Sequence, residues 1–336
     1  MEKSLEKTVD VIEQSQVAEV RRVAAELARA ELMSEAEKGR LAIIATEVST
    51  NLVKYGVRGS VTLNRYAEAG VHGVELVAMD HGPGLRNLAM SMRDGHSTAG
   101  SLGIGLGSVK RAATFLDIYT LLGQGTAVLA RVQAGSQREV PVQGQAAYAR
   151  TVPKKGQIES GDGWSEISFG TRRMVCLVDG LGHGPLAALA ANRALAAFQA
   201  SGALDSPEDV LLRAHQQLKD TRGAVMAVLQ VDARTASATF CGVGNINATL
   251  VHEGKSRHLL SIEGIVGYNM RKTRVQQSSW EPGDVAIMNT DGLSSRWSIT
   301  RYPGLEACHP ALIASVLFRD HARDTDDATI VTLKAA

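Results

Sequence analysis

The sequence predicts an α+β protein of two domains. Helical periodicity in the first sixty residues gives way to strand-like alternation and a glycine hairpin. A polar interval from Gly135 to Gln145, bearing glycine, glutamine and one proline, follows with little periodicity and reads as a linker. Beyond it, short apolar runs end repeatedly in an aspartate beside glycine. With 336 residues the chain is long enough for each half to bury its own core. The expected division is 1–134, a linker at 135–145, and 146–336.

Charge and cysteine usage narrow the partners. The chain carries 36 basic and 35 acidic side chains for a net charge of +1, so nothing draws it to nucleic acid or an anionic membrane. A protein or a small molecule is the expected partner. Cys176, Cys241 and Cys308 lie far apart without a C-x-x-C pair, as free thiols in a reducing cytoplasm would. The first residues mix both charges, and the Ala-rich run 185–200 is broken by Asn192 and Arg193, so neither export nor a membrane span is expected.

In the first half, Val17–Leu32 and Ala36–Tyr55 carry apolar residues at helical spacing. Leu41, Ile44, Val48 and Leu52 share one face of the second helix, and Glu47 and Asn51, one turn apart, point together beside it. Gly56 ends that helix. Val71–Asp80 alternates as a strand and closes on Asp80-His81-Gly82-Pro83-Gly84. The stretch Ser97–Arg111 then places glycines at 100, 103, 105 and 107 before a helical pattern. Such a loop lets backbone approach a phosphate while the helix aims unpaired N–H groups at it. The spacing is neither G-x-G-x-x-G nor the P-loop pattern. Ile118–Leu122 and Thr126–Val132 flank Gly123-Gln124-Gly125 as a β-hairpin, giving helices on a mostly antiparallel sheet.

Taken singly, these polar features have ordinary explanations as turns and solvated stripes. Their order, Glu-x-x-x-Asn, Asp-x-Gly-x-Gly, a glycine-rich loop opening a helix and Gly-x-Gly-Thr, resembles the GHKL ATP-binding superfamily, in detail its RsbT-type serine kinases, over about residues 10–133. The resemblance implies a Bergerat α/β sandwich binding ATP and Mg2+. Asn51 would hold Mg2+, and Asp80 would accept the adenine amino group. Gly82 and Gly84 would shape the turn beneath the base, and the loop around Gly103, Gly105 and Gly107 would hold the phosphates. Thr126 would reach the adenine pocket, and Glu47 would be the general base toward an incoming hydroxyl. No helical segment presenting a phospho-accepting histidine precedes these motifs, and His72 and His81 read as loop residues.

In the second half, Met174–Val178 leads into Asp179-Gly180-Leu181-Gly182-His183-Gly184 and an Ala-rich helix from Pro185. Gly161-Asp162-Gly163 lies upstream. Downstream come the strand Val285–Met288 with Asn289-Thr290-Asp291-Gly292, and Asp326-Asp327-Ala328-Thr329 before the apolar run Ile330–Leu333. Single Asp-Gly pairs are usually turn formers. Several aspartates at strand edges would repel one another unless cations sat between them, and oxygen-only ligands select Mg2+ or Mn2+ over zinc. The ordered set resembles the PPM metal-dependent protein phosphatases, in the short SpoIIE and RsbX form, over about residues 146–336.

That resemblance implies an αββα sandwich holding two Mn2+ or Mg2+ ions. Asp179 would bridge them with help from the Gly180 carbonyl, and Asp162, Asp291, Asp326 and Asp327 would complete the ligand set. Phe240–Ile246 reads as a core hairpin feature with Phe240 and Cys241 in packing, Cys176 as core, and His183 as either an acid or, in preference, a cap for its turn. No arginine is assigned to the phosphate. Together the halves imply opposed kinase and phosphatase reactions on serine or threonine of STAS-domain proteins, within partner-switching signalling that can include a sigma factor. A reading of a different class keeps the same motifs as a nucleotide-gated anti-sigma-type binding switch, with one or both sites non-catalytic. Stoichiometric ATP binding without turnover would mark it.

Overall fold

The computed structural model describes residues 6–68, 70–92, 105–135 and 146–335. Gly103 and residues 136–145 of the expected linker therefore lie outside the described residues. The chain divides into two compact units, Met1–Gly144 and Gln145–Ala336. Among the described residues no helix is long and apolar enough to cross a membrane.

The first unit runs β1 (Lys7–Asp10), α1 (Gln14–Ala30), α2 (Glu35–Tyr55), β2 (Ser60–Glu68), β3 (Val71–Met79), α3 (Leu88–Ser91), α4 (Gly105–Ala112), β4 (Phe115–Leu121) and β5 (Gly125–Gln133). Its sheet has the order β1-β2-β3-β5-β4, with every neighbouring pair antiparallel. α2 opens with a capping box, in which Ser34 Oγ accepts from the Glu37 N–H while the Glu37 carboxylate accepts from the Ser34 N–H at 2.7 Å. Such a pair satisfies two otherwise orphaned donors and contributes about 1 kcal/mol. Leu41, Ile44, Val48 and Leu52 are all buried, in one core with Val20, Val23 and Leu27 of α1 and Val61, Leu63, Leu76 and Ala130 of the sheet. Each of the Val, Leu and Ile side chains contributes roughly 1.5–3 kcal/mol when fully buried.

His72 departs from the expectation of a loop. It lies in β3, with Nδ1 2.5 Å from the Glu31 carboxylate, which also accepts from Arg65. Burial works against the charge on Glu31, but these two partners hold its carboxyl below the usual range. His81 is outside the regular elements, as expected.

The second unit runs β6 (Ala146–Val152), β7 (Asp162–Phe169), β8 (Arg172–Gly180), α5 (Pro185–Gln199), α6 (Pro207–Gln217), β9 (Ala224–Asp232), β10 (Ser237–Val243), β11 (Asn247–His252), β12 (Lys255–Leu259), β13 (Gln276–Ser279), β14 (Val285–Asn289), α7 (Pro310–His321) and β15 (Ala328–Lys334). Two five-stranded sheets have the orders β13-β10-β9-β8-β7 and β12-β11-β14-β15-β6. Period-two alternation sorts the strand residues. Met174, Cys176 and Val178 of β8 pack with Leu195, Phe198 and Leu211 of α5 and α6, whereas Val175 and Leu177 pack toward Ala248, Met288 and Val331 of the other sheet. With α7 against β6 and β15, the layers are α, β, β, α. An α/β sandwich followed by an αββα sandwich is the expected α+β architecture.

Candidate functional site

Two groups of polar residues stand at strand ends, one in each unit. In the first, the turn after β3 is fixed by backbone bonds from Asp80 to Thr126 (3.0 Å), His81 to Val57 (2.8 Å) and Gly123 to Pro83 (2.9 Å). Asp80 Oδ1 accepts from the Gly82 N–H at 2.5 Å. Gly125, at φ +92°, brings the β4–β5 hairpin so close that a Cβ would lie 2.0 Å from the Asp80 carbonyl oxygen. A Cβ on Gly82 would lie 2.8 Å from the carbonyl oxygen of Tyr55, the last residue of α2. The turn thus abuts α2 one helical turn beyond Asn51. Thr126 Oγ1 stands 3.1 Å from Thr120 Oγ1, which accepts from the Leu85 N–H. Asp80, Gly82, Gly84 and Thr126 therefore share one turn-and-hairpin corner.

Glu47 and Asn51 are half-buried on α2. Opposite them α4 begins at Gly105, where a Cβ would come 3.6 Å from the Asn51 side-chain nitrogen and 3.7 Å from its oxygen. Those are ordinary contact distances, so packing among the described residues does not demand glycine at 105. A side chain there would instead fill the space in front of the Asn51 amide. Gly105 and Gly107 were expected in a loop, but both belong to the first turn of α4, because Ser108, Val109 and Ala112 bury behind them and extend the helix back to Gly105.

In the second unit, Asp162 at the start of β7 is the register partner of Asp179 near the end of β8. Asp179, Asp291 and Asp326 line one cleft of about 490 Å3, with Lys154, His183, Asn245 and Glu263 also on its wall. Asp162 Oδ2 accepts from the Thr290 hydroxyl at 2.8 Å, while Oδ1 is buried without a hydrogen-bond partner. Asp291 accepts from Asn245 Nδ2 at 2.8 Å. Asp327 is engaged differently. Its two oxygens accept from the backbone N–H groups of Lys154 (2.7 Å) and Gly161 (2.8 Å), which ties the β6–β7 connection to the start of β15. Gly180 is buried, and a Cβ on it would meet the Ala187 carbonyl oxygen at 2.1 Å.

Burial pushes the Asp162 carboxyl up to about 7, against the pull of the Thr290 hydroxyl. Asp179 is pushed up to about 8, first by burial and then by the negative charges of Asp162, Asp291, Asp326 and Asp327. Among the described residues no three Asp, Glu, His or Cys side chains form a preformed metal-binding group. The donor chemistry nevertheless fits a hard divalent cation: the carboxylates repel one another, and one buried Asp162 oxygen lacks a partner. Cys176 and Cys241 are buried, and burial pushes both thiols up, so neither offers a thiolate to the cleft.

Comparison with known proteins matches residues 12–132 to the histidine kinase-like ATPase domain and residues 170–336 to the stage II sporulation protein E (SpoIIE) family. The serine/threonine-protein kinase RsbT of Bacillus subtilis (strain 168) is 32% identical over 94 residues, covering 28% of this chain and 71% of the kinase. The phosphoserine phosphatase RsbX of the same organism is 30% identical over 146 residues, covering 42% of this chain and 71% of the phosphatase. The chain belongs to the RsbT-like ATPases in its first half and to the SpoIIE-type phosphatases in its second. A crystal structure of RsbX in complex with magnesium shares the fold of the SpoIIE-type half, with a TM-score of 0.50 and 23% identity over 56% of this chain and 94% of that one.

Sequence reasoning passed over several residues of the SpoIIE-type cleft. Phe240 and Cys241 are core as expected, but the stretch they begin is more than a core hairpin, because Gly244 and Asn245 line the cleft. Thr290 stood inside the quoted Thr-Asp-Gly motif, and only the fold reveals its bond to Asp162. His183 lines the cleft and is exposed, and α5 starts from Gly184 with no side-chain cap, so capping is not its role. In the RsbT-like half Thr120 was passed over, and Gly125, expected only as a hairpin and motif glycine, also shapes the Asp80 corner.

Proposed function

We propose that the chain is a bifunctional cytoplasmic signalling regulator. Its RsbT-like half is an ATP-dependent serine/threonine protein kinase, and its SpoIIE-type half an Mg2+- or Mn2+-dependent phosphoserine and phosphothreonine protein phosphatase. The substrates are STAS-domain proteins of a partner-switching pathway. One observation carries this reading: a single chain is similar to a protein kinase over its first half and to a phosphatase over its second, and each half gathers its polar residues at one corner.

In the kinase half, Asp80 receives the adenine amino group, while Gly82, Gly84 and Thr126 form the floor and side of the base pocket. Asn51 holds the Mg2+ that accompanies the triphosphate, and Gly103 with Gly105 and Gly107 of the first turn of α4 receives the phosphates. Gly105, where a Cβ would stand 3.6 Å from the Asn51 amide nitrogen, supports that placement. Glu47, one helical turn before Asn51, takes the proton from the partner's hydroxyl as the γ-phosphoryl group transfers to it.

In the phosphatase half, Asp162, Asp179, the Gly180 carbonyl, Asp291 and Asp326 hold a pair of divalent cations. Such a pair supplies hydroxide from bound water at neutral pH and offsets charge on the phosphoryl oxygens. Thr290 and Asn245 orient Asp162 and Asp291 by donating to them. Asp327 positions the Lys154 and Gly161 backbone from behind.

The test incubates the purified chain with ATP, Mg2+ and a STAS-domain protein from the same genome, then supplies the phosphorylated partner with Mn2+. Glu47→Ala is expected to lower phosphate incorporation at least about 100-fold, the usual weight of a general base. Asp291→Ala is expected to stop phosphate removal while leaving incorporation intact. Retention of both activities in these variants would refute the assignments.

A further inference from the structure

The cleft of the SpoIIE-type half is lined by Asp179, Asp291, Asp326 and Glu263, and a phosphomonoester entering it is itself a dianion. Divalent cations offset the aspartates they bind. Protein cations are also needed to draw the phosphoryl group in and fix its orientation, and the wall holds one directly in Lys154. The place of Lys154 on that wall is set by its backbone N–H, held at 2.7 Å by Asp327.

A second cation comes from the turn before β9. Arg222 Nη1 lies 3.0 Å from where a Cβ on Gly182 would stand, and Gly182, at φ +95°, lines the cleft. The turn carrying Arg222 is tightly held. Leu181 N–H donates to the Gly223 carbonyl at 3.1 Å, and Gly223 N–H donates to Thr221 Oγ1 at 3.0 Å. Ala224 and Val266 exchange bonds of 3.0 and 2.8 Å, which joins the same turn to the segment bearing Glu263 and Gly264. Three other arginines of this unit are committed elsewhere: Arg193 to Asp220, Arg213 to Asp205, and Arg172 to the Ala203 and Asp205 carbonyls. Among the described residues neither Lys154 nor Arg222 enters an ion pair, although four carboxylates line the cleft. An exposed guanidinium with free donors, resting on a glycine at the lip, suits bidentate capture of phosphate oxygens, and an ammonium serves as a point charge beside it.

We infer that Arg222, assisted by Lys154, binds and positions the phosphoryl group of the substrate in this cleft. The inference rests on the phosphatase reading for its reaction, but its binding claim is separable. The test uses the full chain with Mg2+ and two readouts: inorganic phosphate affinity by titration calorimetry, and steady-state hydrolysis of p-nitrophenyl phosphate. Arg222→Ala is expected to weaken phosphate binding about tenfold and to raise KM by a similar factor with a smaller change in kcat, as loss of a charge-assisted contact does. Arg222→Lys should recover part of both, and Lys154→Ala should weaken phosphate binding about threefold. If Arg222→Ala also lowers the thermal midpoint, Arg222→Gln is measured in its place.

Phosphate affinity and KM unchanged in the Arg222 and Lys154 variants would overturn the inference. Phosphate binding that depends on Arg222, in a chain that hydrolyses nothing, would support the inference and refute the phosphatase reading. Hydrolysis that ignores both substitutions would do the reverse.

Discussion

Asp162 is held at the start of β7 with one oxygen on the Thr290 hydroxyl and the other buried without a partner. Its carboxyl is raised from an ordinary 3.8 to about 7, and that of Asp179 to about 8. The folded, metal-free chain therefore binds these protons more tightly than the unfolded chain. The associated stability is fully present below about pH 4 and is lost as pH rises through 7 to 8. Without divalent cations, the thermal midpoint of the second unit is expected to fall between pH 5 and pH 8. Asp162→Asn, which imitates the protonated acid, should raise that midpoint at pH 8 and flatten the profile. Calorimetric scans across a pH series in chelator check this, and a midpoint that rises with pH in the unsubstituted chain would contradict it. At the same scale, Asn245 and Arg222 escaped notice in the sequence because each is a lone polar residue in a turn. The partners that give them meaning, Asp291 and Gly182, lie about 40 residues or more away in the chain.

Two glycines show how elements are placed around the sites. A Cβ on Gly292 would stand 1.9 Å from the Asp327 carbonyl oxygen, where the end of β14 meets the start of β15. Gly292→Ala is expected to force these backbones apart, at a cost of about 1–3 kcal/mol or more. It should weaken divalent-cation binding as well, measured by denaturant unfolding and metal titration. Gly105→Ala is expected to act in the opposite sense on stability. It places a methyl at ordinary contact distance on the first turn of α4, where alanine favours the helix by up to about 1 kcal/mol. Nucleotide affinity should nevertheless fall, because the methyl occupies the space before Asn51. A melt and a fluorescent-nucleotide titration separate the two effects.

Much of this architecture was legible in the sequence where an element has one wet and one dry face. α2 announced itself by Leu41, Ile44, Val48 and Leu52, and the β4–β5 hairpin by its glycines. β2 gave a shorter signal: Val61 and Leu63 alternate with Thr62 and Asn64, but Arg65 breaks the period after four residues, and the fold buries all four regardless of polarity. α7 is buried from Pro310 through Phe318 and so shows no polar stripe, while β12 and β13 are short and largely exposed. His72 read as a loop residue although the alternation from Val71 already enclosed it in a strand, and the ladder pairing with Ala67 settles it in β3. The motif order singled out the aspartates at the strand ends, but not that Asp327 faces the backbone of Lys154 and Gly161.

At the scale of the whole molecule, each unit has its own core and its own candidate site. Scanning calorimetry of the full chain is expected to resolve two transitions, with ATP and Mg2+ raising one and Mn2+ alone raising the other. A ligand at 100 times its dissociation constant stabilises its own unit by about 2.7 kcal/mol. A single transition moved equally by either ligand would contradict two independent sites. The order in which the units can form differs from their symmetry on paper. The first sheet needs nothing beyond Gln133. The second cannot close until β15 arrives to pair with β6, and Asp327 must reach back to Lys154 and Gly161 before the cleft wall is set. At about 5–20 residues per second, the roughly 200 residues between Gln133 and Lys334 take about 10–40 s to synthesise. Through that interval each nascent chain can carry a finished first unit while the cleft wall of the second is still incomplete, so under the proposed function a burst of fresh translation would transiently tilt the cell toward phosphorylation before the opposing half comes into being.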